Sequence, residues 1–182
     1  MEHIGVVCGR FQIFHNEHLQ YVMAAKEKCE HLIVGITSPD PSVSPVEKAD
    51  VNRSSDAANP CTYYERMKMI EASLLEQGLC RDEFDLVPYP IGRPELVKYY
   101  IPHDACHFIT ILDQWGECKK ERMEQWGYKV HVLWKKTEKG IFSTILRECM
   151  MEGKPWKQYV PNATYEYIVA NGLDKRIIDL MK

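Results

Sequence analysis

Short β-branched runs alternate with helical patterns along most of this chain, and that alternation restricts the fold more than any other feature. Ile4–Cys8, Leu32–Thr37, Asp85–Tyr89, His107–Leu112 and Lys129–Trp134 are apolar runs of strand length. Between the first two, Leu19, Val22, Met23 and Lys26 mark one face of an amphipathic helix at i, i+3, i+4 spacing. A second helix is predicted over Tyr63–Gln77, where Thr62 and Glu65 form a capping box. Met67, Ile70 and Leu74 share its apolar face, and Gly78 stands where a C′ glycine belongs. A third helix is predicted near Glu117–Trp126, stopped by Gly127. Beyond Trp134 the pattern turns helical: Ser143–Met151, then Ala163–Ala170 ending at Gly172, then a short last helix. Strands alternating with helices predict an α/β fold with an open parallel sheet and helices on both faces. About five strands, a helical C-terminal end and a single domain over residues 1–182 follow.

At 182 residues the chain is long enough to bury a real core, and its 45% hydrophobic and 27% charged residues suit a globular domain. A formal charge of −3 argues against broad binding to nucleic acid or to membrane surfaces, so any phosphate binding must be local. No apolar run approaches the ~20 residues of a membrane span, and the N-terminus lacks the basic and apolar regions of a signal peptide. The seven cysteines are scattered without a Cys-x-x-Cys pair. That pattern suits reduced thiols in a cytoplasmic protein better than a disulfide framework. Ser38–Cys61 stands apart, rich in Ser, Pro, Asn and Asp. It reads equally well as a substrate-covering loop or as a merely mobile one.

Two clusters carry chemistry. The first is Gly9, Arg10, Phe11, Gln12, His15 and His18, directly after the first strand. Two imidazoles at a helix N-terminus meet free backbone N–H groups and the positive end of the helix dipole, which together attract phosphate. Open parallel sheets bind ligands outside the carboxyl ends of their strands, where this cluster falls. A strand–turn–helix junction with two surface histidines has the same local pattern. The second cluster is Lys139–Arg147, in which Ser143 and Thr144 open a helix and Arg147 follows one turn later. Hydroxyls, free N–H groups and a guanidinium fork would converge as a phosphate clamp. An ordinary cap followed by a surface arginine is the plainer reading.

Gly9–His18 resembles the Gly-Arg-Phe-Gln-Pro-Phe-His-x-Gly-His signature of the HxGH nucleotidylyltransferases, most like the archaeal-type nicotinamide-nucleotide adenylyltransferases. Asn59-Pro60-Cys61-Thr62 with Glu65-Arg66 is similar to that family's Asn-Pro-Phe-Thr…Glu-Arg stretch. Phe142–Arg147 resembles its Ser-Gly-Thr-x-x-Arg, and Gly153–Pro161 matches the tail that follows. The resemblance spans nearly the whole chain and implies a Rossmann-like fold. It implies an enzyme using a nucleoside triphosphate and Mg²⁺, in which an acceptor phosphate attacks the α-phosphorus and pyrophosphate leaves. By the same resemblance His15, His18 and Arg147 are catalytic. Gly9, Arg10, Phe11, Gln12, Ser143, Thr144 and Arg147 then bind nucleotide and phosphates. The metal is expected on phosphates and waters, without an all-protein cage. Relatives of this type commonly assemble, so a homo-oligomer is among the expectations.

The chain departs from the pattern where the acceptor is chosen. Glu17 replaces the motif glycine, Ile13 the usual proline, and Phe142 the first serine of the phosphate motif. At ~100° per residue Glu17 lies about 200° round the helix from His15, which turns it away from the phosphates; serving an unusual acceptor or impairing catalysis are the other readings. Pro88–Pro102 lacks the family's Pro-Asp-Ile…Trp stretch, and Leu112–Gly116 replaces its Ser-Gly-Asn-Pro strand end. Tyr89 and Trp115 are candidate aromatic walls, and Asn59, Thr62 and Glu17 complete the candidate acceptor residues. The leading expectation is adenylyl transfer from ATP to nicotinamide mononucleotide, a step of NAD biosynthesis. The alternatives are a cytidylyltransferase, an adenylyltransferase for another phosphorylated metabolite, and a non-catalytic nucleotide-binding regulator.

Overall fold

Five parallel strands lie in the order β3-β2-β1-β4-β5, so the direction of winding reverses between β1 and β4. The strands are β1 (Glu2–Gly9), β2 (Cys29–Thr37), β3 (Phe84–Tyr89), β4 (Cys106–Ile111) and β5 (Lys129–Lys135). The helices are α1 (Asn16–Lys26), α2 (Tyr63–Glu76), α3 (Gln114–Gln125), α4 (Ser143–Met151), α5 (Asn162–Ala170) and α6 (Leu173–Leu180). The computed structural model describes residues 1–40, 55–111, 114–135 and 143–182. Most of the Ser38–Cys61 loop, Leu112–Asp113 and Lys139–Phe142 therefore lie outside the described residues.

The predicted α/β architecture is present. β1 is central and buried on both faces, which explains its continuous apolar run in place of alternation. Val7 pairs with Val34 on one side and Val6 with His107 on the other. One face carries α1, α2 and the C-terminal helices over Val7, Val34, Ile36, Ile70, Leu74, Phe108, Leu146 and Ile168. The opposite face carries Val6, Cys8, Ile33, Tyr89, Ile109 and Ile111 under Val97, Ile101, Met123 and Tyr128.

Local chemistry sets the element ends. Thr62 and Glu65 close the predicted capping box on α2, and Gly78 terminates it at φ +87°, a conformation a Cβ would strain. The third helix begins at Gln114 instead of Glu117; its first turn, Gln-Trp-Gly, carries little helical signal. The sequence pattern assigned no element between β3 and β4. Pro94–Tyr99 forms a 3-10 helix there, and its Val97 supplies core to the second face.

Candidate active site

α1 begins with two histidines that cap each other. His15 is the N-cap; its Nδ1 accepts the His18 backbone N–H, and His18 Nδ1 accepts the His15 backbone N–H, both at 3.4 Å. The rings stack with centroids 3.6 Å apart at 20°. Phe11 meets the His18 ring edge-on at 5.0 Å, and Phe14 stacks on it at 5.9 Å. Burial pushes His15 down to about 4. Burial, His15 and Arg10 push His18 well below the ordinary imidazole range, against a smaller opposite pull from the Ile13 carbonyl. Both rings are therefore neutral at pH 7. Because each Nδ1 accepts an N–H, each ring carries its proton on Nε2. The pair is a fixed set of neutral Nε2–H donors at a helix N-terminus.

Phe11 is held at φ +53°, a left-handed conformation rare for a bulky residue. Its buried ring supports His18 instead of standing open to a nucleotide. This also accounts for Gly9: a Cβ there would come within 2.8 Å of the Phe11 ring.

The second cluster folds onto the first. Arg147 Nη1 donates to the Gln12 carbonyl at 3.1 Å and Nη2 to Thr144 Oγ1 at 3.3 Å. Ser143 Oγ donates to the Ile13 carbonyl at 3.4 Å. Residues 130 and 135 positions apart thus meet at one loop. Burial lowers the Arg147 pKa; a guanidinium stays charged all the same.

Gln12 has its side chain engaged at both ends: Nε2 donates to the Cys61 carbonyl and Oε1 accepts the Cys61 N–H, both at 2.9 Å. The amide stitches the His loop to the start of α2. Asn59 donates to the Ser55 carbonyl, and Thr62 caps α2. These polar groups hold the turn beside Gln12. Glu17 is half-buried in the first turn of α1.

Arg66 was given no role by sequence reasoning, although the Glu-Arg stretch contains it. It is 1% exposed and gathers four carbonyls: Thr62 from Nε at 3.2 Å, Arg10 and Thr37 from Nη1 at 2.7 Å, and Ser38 from Nη2 at 2.8 Å. Desolvation lowers it to about 10. One guanidinium thereby ties the ends of β1 and β2 to α2. An arginine on the buried face of an amphipathic helix, beside Met69 and Ile70, was the available signal.

On the opposite face of the sheet lies a cavity of about 40 Å³. Tyr89, Ile91 and Val97 line one side, and Cys118, Lys119, Arg122, Met123 and Tyr128 the other. Lys119 Nζ sits 3.2 Å from Cys8 Sγ, which ties this wall of the cavity to the end of β1. Tyr89, a candidate aromatic wall in the sequence, lines this cavity. Trp115 lies in the first turn of α3. Among the described residues no group of three His, Cys, Asp or Glu side chains converges as a metal cage, and no helix is long and apolar enough to cross a membrane.

A family model described as cytidylyltransferase-like matches residues 6–149, from β1 through Arg147. The chain belongs to the cytidylyltransferase-like family. It is a nucleotidyltransferase, as the HxGH resemblance implied. The phosphonoformate cytidylyltransferase of Streptomyces viridochromogenes is 40% identical over 173 residues, covering 95% of this chain and 94% of that protein. A nicotinamide-nucleotide adenylyltransferase of Thermococcus sibiricus is 30% identical over 165 residues, covering 90% and 82%. A crystal structure of a bifunctional NMN adenylyltransferase/ADP ribose pyrophosphatase from Francisella tularensis, complexed with AMP and an Mn ion, superposes with a TM-score of 0.70 at 16% identity. That match covers 98% of this chain but about half, 52%, of the bifunctional protein, and it establishes the fold. The cytidylyltransferase alternative is thus better supported than adenylyl transfer to nicotinamide mononucleotide.

Proposed function

We propose that this protein transfers a cytidylyl group from CTP to a small phosphonate acceptor, with phosphonoformate the first choice. The observation that carries this reading is the cavity under α3. It holds about 40 Å³, and a water occupies ~10–15 Å³ on the same measure. Lys119 and Arg122 on its wall favour an anion. The 40% relative supports the same acceptor.

In this reading a phosphonate oxygen attacks the α-phosphorus of CTP in line. The bond from the α-phosphorus to the α–β bridging oxygen breaks, and pyrophosphate leaves with that oxygen. Negative charge grows on the α-phosphoryl oxygens in the transition state. His15 and His18 present neutral Nε2–H donors to those oxygens, preorganised by mutual capping. Ser143, Thr144 and Arg147 hold the β- and γ-phosphates, with Arg10 beside them. Gln12, Phe11 and Gly9 shape the loop that places these groups. Mg²⁺ fits a site with few protein oxygens by binding the triphosphate, where it supplies charge neutralisation.

The test is pyrophosphate release with CTP or ATP, each paired with phosphonoformate or nicotinamide mononucleotide. Turnover is expected for CTP with phosphonoformate. Turnover confined to ATP with nicotinamide mononucleotide overturns the reading. Silence with every pair, alongside measurable nucleotide binding, favours the regulatory alternative instead.

A further inference from the structure

The turn that receives the Gln12 amide is also held by a side chain of the last helix. Pro60, Cys61 and Thr62 lead into α2, and each is fixed by a different residue. Gln12 takes both backbone polar groups of Cys61. Arg176, in α6, donates from Nη1 to the Pro60 carbonyl at 3.3 Å. Its fork also grips Glu65, with Nη1 on Oε2 and Nη2 on Oε1, both at 2.8 Å. Glu65 in turn accepts the Thr62 N–H at 2.8 Å and closes the α2 cap.

Local sequence places Arg176 there. It follows Leu173 by three residues and precedes Ile177, both 1% exposed, so it stands at the edge of the buried face of α6. Burial alone would raise the Glu65 carboxyl, but the Arg176 fork and the Thr62 N–H hold it below the usual carboxylate range. The pair is therefore ionised at pH 7. A two-point contact between guanidinium and carboxylate fixes direction as well as distance.

The contacts continue into the candidate active site. Gln12, its amide locked on Cys61, offers its own carbonyl to Arg147 Nη1 at 3.1 Å. α6 also packs on α4, which carries Ser143, Thr144 and Arg147. Arg66 holds the same turn through the Thr62 carbonyl, but it ties the strand ends as well. Among the described residues the hydrogen bonds of Arg176 are confined to Pro60 and Glu65. Its removal would release the turn and leave the strand ends tied.

We propose that Arg176 is a positioning residue for nucleotidyl transfer: it fixes the Pro60–Thr62 turn, so that Gln12 holds Arg147 in place against the His loop. This rests on the phosphate roles given above to Arg147 and the histidines, and adds a group that never touches substrate. A partly exposed ion pair contributes little to folding. A misplacement of ~1 Å at the reacting groups, by contrast, costs up to ~10²-fold in rate.

The experiment uses the full chain with CTP and phosphonoformate, in the native protein, Arg176→Met, Gln12→Met and the double variant. Arg176→Met is expected to lower kcat about tenfold, with KM for phosphonoformate changed less than threefold and a urea midpoint near native. In the Gln12→Met background the same change should lower kcat less than twofold, because the link it acts through is already cut. Arg176→Lys, whose ammonium cannot span Glu65 and Pro60 together, should remain at least threefold slow. Amide hydrogen exchange gives a readout that needs no turnover. The Cys61 N–H, held by Gln12 Oε1, should exchange at least tenfold faster in Arg176→Met, while the Val7 amide of β1 keeps its native rate. That exchange decides alone if Gln12→Met does not fold. A native kcat or a native Cys61 exchange rate in Arg176→Met overturns this inference and leaves the cytidylyl-transfer reading standing. An equal loss of kcat in both backgrounds also overturns it, since the effect then bypasses Gln12. If the native protein turns over no CTP with phosphonoformate, the reaction reading falls and exchange decides the rest. Faster exchange at Cys61 then supports the Arg176 link, and an unchanged rate overturns it.

Discussion

The His15 and His18 rings lie face to face 3.6 Å apart, each accepting the other's backbone N–H at the start of α1. A helix cap and the donors proposed to meet the phosphates are thus the same two side chains. The roles separate by substitution. His15→Asn keeps a good N-cap but removes an imidazole; its stability should stay within about 1 kcal/mol of native. His18→Ala should lower kcat by ~10²–10³-fold, the usual cost of removing one preorganised transition-state donor. Steady-state kinetics with thermal melts checks both. Retained turnover in His18→Ala would remove that residue from the reaction.

Acid stability follows from the same pair and His107. His15 and His107 titrate near 4 in the folded protein, against an ordinary 6.5, because burial disfavours their charged forms. Between those values the unfolded chain binds protons that the native chain does not, so stability falls as pH falls. It is full above 6.5 and declines towards 4, by roughly 2 kcal/mol for each of the two imidazoles at pH 5. His18 acts in the same direction. Urea unfolding from pH 7.5 to 5 should show the decline, shallower in His107→Phe. A flat profile would contradict neutral burial.

Arg66 should matter as much as the histidines without touching substrate. Arg66→Met removes donors from the carbonyls of Arg10, Thr37, Ser38 and Thr62 together. A loss of about 3 kcal/mol or more is expected, since each buried unpaired carbonyl carries its own desolvation penalty. Arg66→Lys should recover less than half, because an ammonium cannot span the guanidinium fork. Urea midpoints decide this; a loss below about 1 kcal/mol in Arg66→Met would show that other groups hold the strand ends.

What the sequence revealed and concealed divides along physical lines. The strands, α2 with its cap, and the approach of Arg147 to the His loop were legible because periodicity, capping chemistry and motif order are local signals. Gln12 resembled a ligand-binding residue, yet its amide is spent on Cys61; sequence shows a polar residue in a motif but not its partner. Phe11 and Gly9 belong to the same loop, and their packing against each other depends on a backbone turn no pattern encodes. Arg66 and His107 were passed over for a different reason. Arg66 falls on the buried face of a helix and His107 in an otherwise apolar strand, and burial alone makes each consequential. Tyr89 could be named as an aromatic wall, but Lys119, Arg122 and Tyr128 converge on it only through the crossing from β3 to β4 and the packing of α3.

Glu17 tests whether the variant motif alters the chemistry or only the helix. It is the second residue of α1, in the turn where a carboxylate favours the helix dipole by ~0.3–1 kcal/mol. His15 is the extended N-cap and not a helical residue, so whether the Glu17 carboxylate meets the reacting phosphates is a question for substitution. Glu17→Gly should therefore destabilise the protein by about 1–2 kcal/mol, combining the lost dipole interaction with glycine's helix penalty. Turnover of CTP with phosphonoformate should change less than threefold, and no activity with nicotinamide mononucleotide should appear, if acceptor choice lies in the cavity beneath α3 as proposed. A tenfold change in kcat in either direction would place the carboxylate beside the reacting phosphates. New activity with nicotinamide mononucleotide would move acceptor selection from the cavity to the helix start.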